Sequence, residues 1–236
     1  MNRFEREETL IGEENFNKLR AIHVAVFGIG GVGGYVCEAL ARAGVGKITL
    51  VDHDVVSESN INRQIIALGS TIGRLKTSVM KERITDINPG AIVNEINTFY
   101  LPENADDFPI SSFDYIVDCI DTVSGKISLI EMANKYNISI ISCMGTGNKI
   151  HGEKLKIADI YNTSVCPLAR VIRKECKDRN IKKLKVLYSD EQPIKTAEKS
   201  EKTHLGRPVP SSISFVPSVA GLLIAGEVIR DIIGIK

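Results

Sequence analysis

The sequence predicts an α/β protein built on a Rossmann-like, doubly wound sheet, parallel in its N-terminal part and continued by antiparallel C-terminal strands. Three observations carry this. The first is a strand–turn–helix unit: Val24, Val26 and Phe27 run into Gly28-Ile29-Gly30-Gly31-Val32-Gly33, after which Val32, Val36, Leu40 and Ala43 recur at helical spacing. The second is an alternation of short apolar runs with helical patterns through residue 150, as expected of parallel strands joined by helical crossovers. The third is a looser pattern after residue 150, with short strands around a basic helix.

In chain order, residues 1–20 read as a charged helical lead-in anchored by Leu10, Ile11, Phe16 and Leu19. Ile48 to Val51 is a second strand that delivers Asp52. Leu75, Val79, Ile84 and Ile87 share a helix face that stops at Asn88-Pro89-Gly90. Ile92 to Ile96 is a third strand, Pro102 to Ser112 a loop, and Tyr115 to Ile120 a buried strand ending at Asp121. A helix from Val123 to Tyr136 leads to a fifth strand, Ile138 to Ser142, which ends at Met144-Gly145-Thr146-Gly147.

Lys154 to Ile160 and Lys185 to Tyr188 read as strands, and Pro167 opens a short helix between them. Residues 189–212 are polar and read as a long exposed loop. Ser212 to Phe215 is expected to close the sheet, and Pro217 suits the first turn of a final helix. That helix is apolar on more than one side (Leu222, Leu223, Ile224, Val228, Ile229, Ile232), so it is buried in the fold or against a second subunit. With no repeat or flexible linker, residues 1–236 form a single domain: a nucleotide-binding half, 1–150, and a C-terminal elaboration, 151–236.

Composition narrows the class. A hydrophobic fraction of 43% and a charged fraction of 25% fit a globular chain. The first residues are strongly charged, unlike a signal peptide, and no uninterrupted apolar run is long enough to span a membrane. Cys37, Cys119, Cys143, Cys166 and Cys176 include no C-x-x-C pair, which argues against a four-cysteine zinc site, and their odd number points to a reducing cytoplasm. Cys37, Cys119 and Cys143 read as core residues. Cys166, at a helix start, reads as structural rather than as a persulfide or thioester carrier. His53 reads as a strand-end surface residue.

A glycine loop alone would suit an NAD-binding oxidoreductase or a noncatalytic nucleotide module, with Asp52 on the ribose. The polar segment that follows asks for more. Asp52-His53-Asp54 runs on to Ser59-Asn60-Ile61-Asn62-Arg63-Gln64, and Lys76 comes soon after. Arg63 and Lys76 can neutralise phosphates, and Asp121, at a strand's carboxyl end, can hold Mg²⁺ through oxygen.

With these residues the chain resembles the ubiquitin-activating-like adenylyltransferases, the ThiF/MoeB/HesA superfamily. The resemblance rests on R-F-E-R at 3–6, G-I-G-G-V-G at 28–33, D-H-D at 52–54, N-I-N-R-Q at 60–64, Lys76 and D-C-I-D at 118–121. It implies that a substrate carboxylate attacks the α-phosphate of ATP to give an acyl-adenylate and pyrophosphate. Gly28, Gly30, Gly31 and Gly33 would line the phosphate loop. Asp52 would bind the ribose, and Asp54 and Asn60 would complete the nucleotide site. Asn62, Arg63, Gln64 and Lys76 would address phosphates, and Asp121 would hold Mg²⁺. Arg6 would be supplied by the partner subunit of a homodimer.

Within the superfamily the chain is most similar to the tRNA threonylcarbamoyladenosine dehydratase branch, through I-N-R-Q-I-I-A-L at 61–68, E-R-I-T-D-I-N-P at 82–89, C-P-L-A-R-V-I-R-K at 166–174 and S-F-V-P-S-V-A-G at 214–221. The branch implies ATP-dependent cyclisation of threonylcarbamoyladenosine in tRNA. The alternative within the superfamily activates the C-terminal Gly-Gly of a sulfur carrier protein, with a sulfur-relay partner. A basic stripe favours RNA: Arg170, Arg173, Lys174 and Lys177 fall at i, i+3, i+4 and i+7, and Arg179, Lys182, Lys183 and Lys185 follow.

Overall fold

The structure, a computed structural model, describes residues 3–195 and 210–235. The strands are β1 (His23–Phe27), β2 (Lys47–Val51), β3 (Ile92–Ile96), β4 (Tyr115–Asp118), β5 (Ser139–Cys143), β6 (Leu155–Asp159) and β7 (Lys185–Ser189). They form one sheet in the order β3-β2-β1-β4-β5-β7-β6. The first five strands pair in parallel, β7 continues parallel to β5, and β6 closes the edge antiparallel to β7. The order turns back between β1 and β4, which opens a crevice at the carboxyl ends of the strands.

The helices are α1 (Glu5–Ile11), α2 (Glu13–Ala21), α3 (Gly33–Arg42), α4 (Lys76–Ile87), α5 (Val123–Lys135), α6 (Pro167–Asp178) and α7 (Phe215–Ile233). The β1 segment His-Val-Ala-Val-Phe is buried at every position, as a central strand covered on both faces must be. One face packs Val24 and Val26 against Val36 and Leu40 of α3 and Val216, Ala220 and Ile224 of α7. The other packs Ala25 and Phe27 against Leu129 and Ala133 of α5. α7 thus covers the sheet beside the glycine loop, yet Phe215, Leu222 and Leu223 stay exposed.

Two expectations change. Ser212 to Phe215 forms no strand: 211–213 is irregular, Ser214 caps α7 and the helix begins at Phe215. Of the loop expected at 189–212, residues 196–209 lie outside the described residues; Ser189 ends β7, and 190–195 is irregular chain. Among the described residues, no helix is long and apolar enough to cross a membrane.

Glu38 ties α3 to α4. Arg83 grips it with two hydrogen bonds, Nε at 2.6 Å and Nη2 at 3.1 Å, and Arg42 Nε adds a third at 2.8 Å. Burial alone would raise this carboxyl, but the bonds from Arg83 and Arg42 outweigh it and hold it below its ordinary value of 4.5. Its stabilising contribution is therefore present above that value and is lost as the pH falls below it. Glu38→Gln should lower the melting temperature at neutral pH, and the gap to the parent should shrink as the pH falls below 4.5. Thermal unfolding across that range checks this; a constant gap would contradict the linkage.

Candidate functional site

A cavity of about 340 Å³ lies at the carboxyl ends of β1, β2 and β4. Gly28, Gly30, Gly31, Gly33, Asp52, Asp54, Asn60, Arg63, Gln64, Lys76 and Asp121 all line it. The turn between β1 and α3 makes this possible through two glycines. Gly28 sits at φ +89°, and a Cβ there would lie 2.7 Å from Cys119 O. A Cβ on Gly33 would lie 1.8 Å from Gly28 O. Only bare backbone closes so tight a loop, and it presents N–H groups to an anion at the start of α3.

The acidic residues differ in what already holds them. Asp52 Oδ2 accepts from Ile29 N at 2.6 Å and Oδ1 from Asp54 N at 2.9 Å, which fixes the end of β2 to the glycine loop. Each oxygen keeps a lone pair for a hydroxyl. Asp54 Oδ2 accepts from Lys76 Nζ at 2.6 Å, holding the buried lysine at the start of α4 in the cavity wall. Asp121 is exposed at the rim and forms no ion pair among the described residues, so its oxygens suit a hard cation. Asp52, His53 and Asp54 lie close enough together to hold a metal, but both carboxylates are already engaged. His53 sits at the surface as expected, stacked edge-on against Phe99 at 4.4 Å.

Arg63 Nη1 donates to Ser59 O and to Asn62 Oδ1, both at 2.9 Å. Gln64 is buried, and its Oε1 has no hydrogen-bond partner. A buried orphan acceptor in a cavity wall calls for a donor from a ligand or from water.

Two predicted residues stand elsewhere. Asn62, expected at the phosphates, does not line the cavity: its Nδ2 donates to Ser212 O at 3.1 Å and its Oδ1 accepts from Arg63, so it ties two segments together. Arg6, exposed on α1, does not line the cavity of its own chain.

Phe99, Tyr100, Thr146, Ser212 and Pro217 also line the cavity, from segments remote in sequence that carried no motif. Also unread in the sequence is Lys126, buried at 1% exposure. Its Nζ reaches both Asp118 oxygens at 3.1 Å and Cys143 O at 2.7 Å. Ser142 Oγ also donates to Asp118, and Asp118 Oδ1 accepts from Ile120 N at 3.0 Å. This buried pair pins the turn that carries Cys119 to Asp121 against Gly28.

The basic stripe needs correction. Arg173 Nη1 is committed to Thr163, donating to its O at 2.8 Å and its Oγ1 at 2.6 Å. Ala169, Ile172 and Cys176 bury the adjoining face of α6, so Arg173 sits at the border of the core. Arg179 pairs with Glu131 and Glu175, and Lys185 with Glu227 and Asp231. Arg170, Lys174, Lys177, Lys182 and Lys183 remain exposed, with no ion pair among the described residues.

All five cysteines are free. Burial pushes the Cys119 thiol well up and Cys143 up to about 12, so neither offers a thiolate near neutral pH. Cys119 also touches the cavity, unlike the purely core residue expected. Cys166 precedes α6 and is buried at 3% exposure, as a structural cysteine would be.

A model of the ThiF family matches residues 4–236. The chain is 42% identical to tRNA threonylcarbamoyladenosine dehydratase of Bacillus subtilis strain 168, over 99% of this chain and 95% of that one. It is 38% identical to the enzyme of the same name from Escherichia coli K12, over 74% and 65% of the two chains. The crystal structure of E. coli tRNA N6-threonylcarbamoyladenosine dehydratase with AMP superposes with a TM-score of 0.89 at 29% identity, covering 98% of this chain and 94% of that one. The same enzyme with ATP gives a TM-score of 0.88.

Proposed function

The chain belongs to the ThiF family, and from that premise we propose that it is an ATP-dependent enzyme that cyclises threonylcarbamoyladenosine in tRNA. One observation carries this: a triphosphate-type cavity, with Arg63, Gln64, Lys76 and Asp121 in its wall, in a chain similar from end to end to a dehydratase acting on that nucleoside.

The free carboxylate of the modified base attacks the α-phosphorus of ATP. The bond to pyrophosphate breaks and an acyl-adenylate forms. The carbamoyl oxygen of the same group then attacks the acyl carbon and AMP leaves, while the carbamoyl nitrogen loses a proton. The elements of water depart in AMP and pyrophosphate. Because the nucleophile is tethered, proximity supplies much of the second step and no catalytic thiol is needed.

The protein's part is to bind and neutralise. The glycine loop offers its backbone N–H groups, Asp52 takes a ribose hydroxyl, and Gln64 Oε1 accepts from the ligand. Arg63 and Lys76 offset phosphate charge. The Asp121 carboxylate, at the rim with no ion pair among the described residues, would hold Mg²⁺, which when bound supplies further neutralisation on the phosphates.

Purified protein with ATP, Mg²⁺ and tRNA carrying the linear nucleoside should yield a nucleoside lighter by one water, with AMP and pyrophosphate. Adenylation of a sulfur-carrier Gly-Gly peptide without conversion of the tRNA would favour the alternative. ATP-site binding without turnover would favour a noncatalytic module, and NAD binding an oxidoreductase.

For tRNA the exposed part of α6 is the contact face. Lys174→Glu with Lys177→Glu should weaken tRNA binding about tenfold or more at moderate salt and flatten its salt dependence, because fewer counterions are released. ATP affinity should not change. Equal tRNA affinity in the double variant, measured by filter binding over a salt series, would remove α6 from the interface.

The enzyme acts in the cytoplasm, with its tRNA, as a homodimer in which Arg6 reaches the partner's cavity. The exposed Phe215, Leu222 and Leu223 of α7 support a covered apolar face. A sulfur-relay partner would not exchange through Cys119 or Cys143, whose burial keeps them protonated.

A further inference from the structure

We infer that Asn62 and Asn148 are positioning residues that set the Arg63 guanidinium through the strap formed by residues 210–214. This rests on the proposal that Arg63 addresses ATP phosphates.

The strap is fastened at two places. At the first, the turn after β5 receives it. Asn148 N donates to Ser211 O at 2.7 Å, and Asn148 Oδ1 accepts from Ser211 N at 2.7 Å. Asn148 O accepts from Ile194 N at 2.8 Å. One residue thus holds chain on both sides of the 195–210 stretch. Asn148 adopts φ 58°, a left-handed conformation that asparagine tolerates better than most side chains. Beside it, a Cβ on Gly147 would lie 2.6 Å from Pro210 Cβ, so the strap lies flat only against glycine.

At the second place the strap meets the phosphate segment. Ser212 O accepts from Asn62 Nδ2 at 3.1 Å, and Asn62 Oδ1 accepts from Arg63 Nη1 at 2.9 Å. Ser59 O takes the other bond to Nη1. Nε and Nη2 of Arg63 form no bond within the described residues and are left for a ligand. Continuing from the strap, Pro217 in α7 packs over Gly31: a Cβ there would meet Pro217 Cβ at 3.3 Å.

An unbroken path therefore runs from Asn148 through Ser211, Ser212 and Asn62 to the guanidinium. Nucleotide binding is spread over the glycine loop, Asp52 and Lys76. The angle of the Arg63 fork matters most where charge develops on the reacting phosphoryl group, so loss of the path should lower kcat more than it raises KM for ATP.

The test uses the full chain, ATP and tRNA bearing the linear nucleoside. Asn148→Gly keeps the backbone conformation and both backbone bonds but loses Oδ1; Asn148→Asp keeps the acceptor. Asn62→Ala cuts the path at its other end. Asn148→Gly and Asn62→Ala should each lower kcat about tenfold with KM for ATP within about threefold, and Asn148→Asp should recover to within about twofold of the parent. In an Arg63→Lys background, Asn62→Ala should cost less than about a further twofold, because both changes act on one group. Unchanged kcat in Asn62→Ala or Asn148→Gly, failure of Asn148→Asp to recover, or additive losses in the Arg63→Lys background would overturn the positioning role while leaving Arg63 in place. Normal turnover in Arg63→Lys and Arg63→Ala would instead remove the phosphate role of Arg63, and the relay with it.

Discussion

Arg63→Ala should lower tRNA-dependent ATP turnover by about two to three orders of magnitude, the scale seen when one preorganised charge-stabilising donor is removed from an active site. The fold should survive. Arg63 is only half-buried, and its internal bonds go to the Ser59 carbonyl and the Asn62 amide, which water can satisfy in its absence. Arg63→Lys should fall between the two, since it keeps the charge and loses the planar fork. Steady-state turnover read beside circular dichroism and thermal unfolding checks the expectation. Turnover within about twofold of the parent in Arg63→Ala would exclude Arg63 from charge stabilisation.

The largest stability effect should follow Lys126→Met. It leaves Asp118, at 0% exposure, without its cation. Breaking a buried pair in this one-sided way costs about 3–5 kcal/mol, and in a chain of this size each kcal/mol moves the melting temperature by about 2–4 °C. A fall of about 10 °C is expected. Asp118→Leu with Lys126→Met should regain part of it, because no bare charge then remains. A fall of less than about 2 °C in Lys126→Met would show that the pair is not an anchor. The same lysine bears on function by geometry: with Asp118 it pins the turn that carries Asp121 to the cavity rim, so nucleotide affinity should weaken alongside stability.

Lys126 also shows what local sequence leaves open. In the sequence it is one more lysine on a helix whose apolar residues were legible, and nothing local says that it points inward. Its burial follows from the convergence of Asp118, Ser142 and the Cys143 carbonyl, which belong to β4 and β5. Asn62 is a second such case. Its place in N-I-N-R-Q made it look equivalent to Asn60 and Gln64, but a turn puts Asn60 and Gln64 on the cavity and Asn62 on the strap. Arg173 met the helical spacing of a basic face and still turned to Thr163, because that face adjoins the buried one on α6. The missing strand at 212–215 has its cause there too: Ser211 and Ser212 bond to Asn148 and Asn62 rather than to a sheet neighbour.

Much was nevertheless decided by local sequence. The glycine loop, the strands that bracket it and the acid after β2 are short-range patterns set by steric and periodic rules, and the fold places them where those rules require. Arg63, Gln64, Lys76 and Asp121 line the cavity for a similar reason, because each follows a strand end that the fold class brings to one edge. The sequence by itself determined the parallel strands, the glycine loop and most of the polar residues that face it. The tertiary structure alone decided which cations are free and which are neutralised, and which asparagine meets the cavity. It also alone decided what closes the far wall, through Thr146, Ser212 and Pro217. Those outcomes depend on contacts between segments far apart in the chain, where hydrogen-bond partners and burial are fixed by packing rather than by any neighbour in sequence.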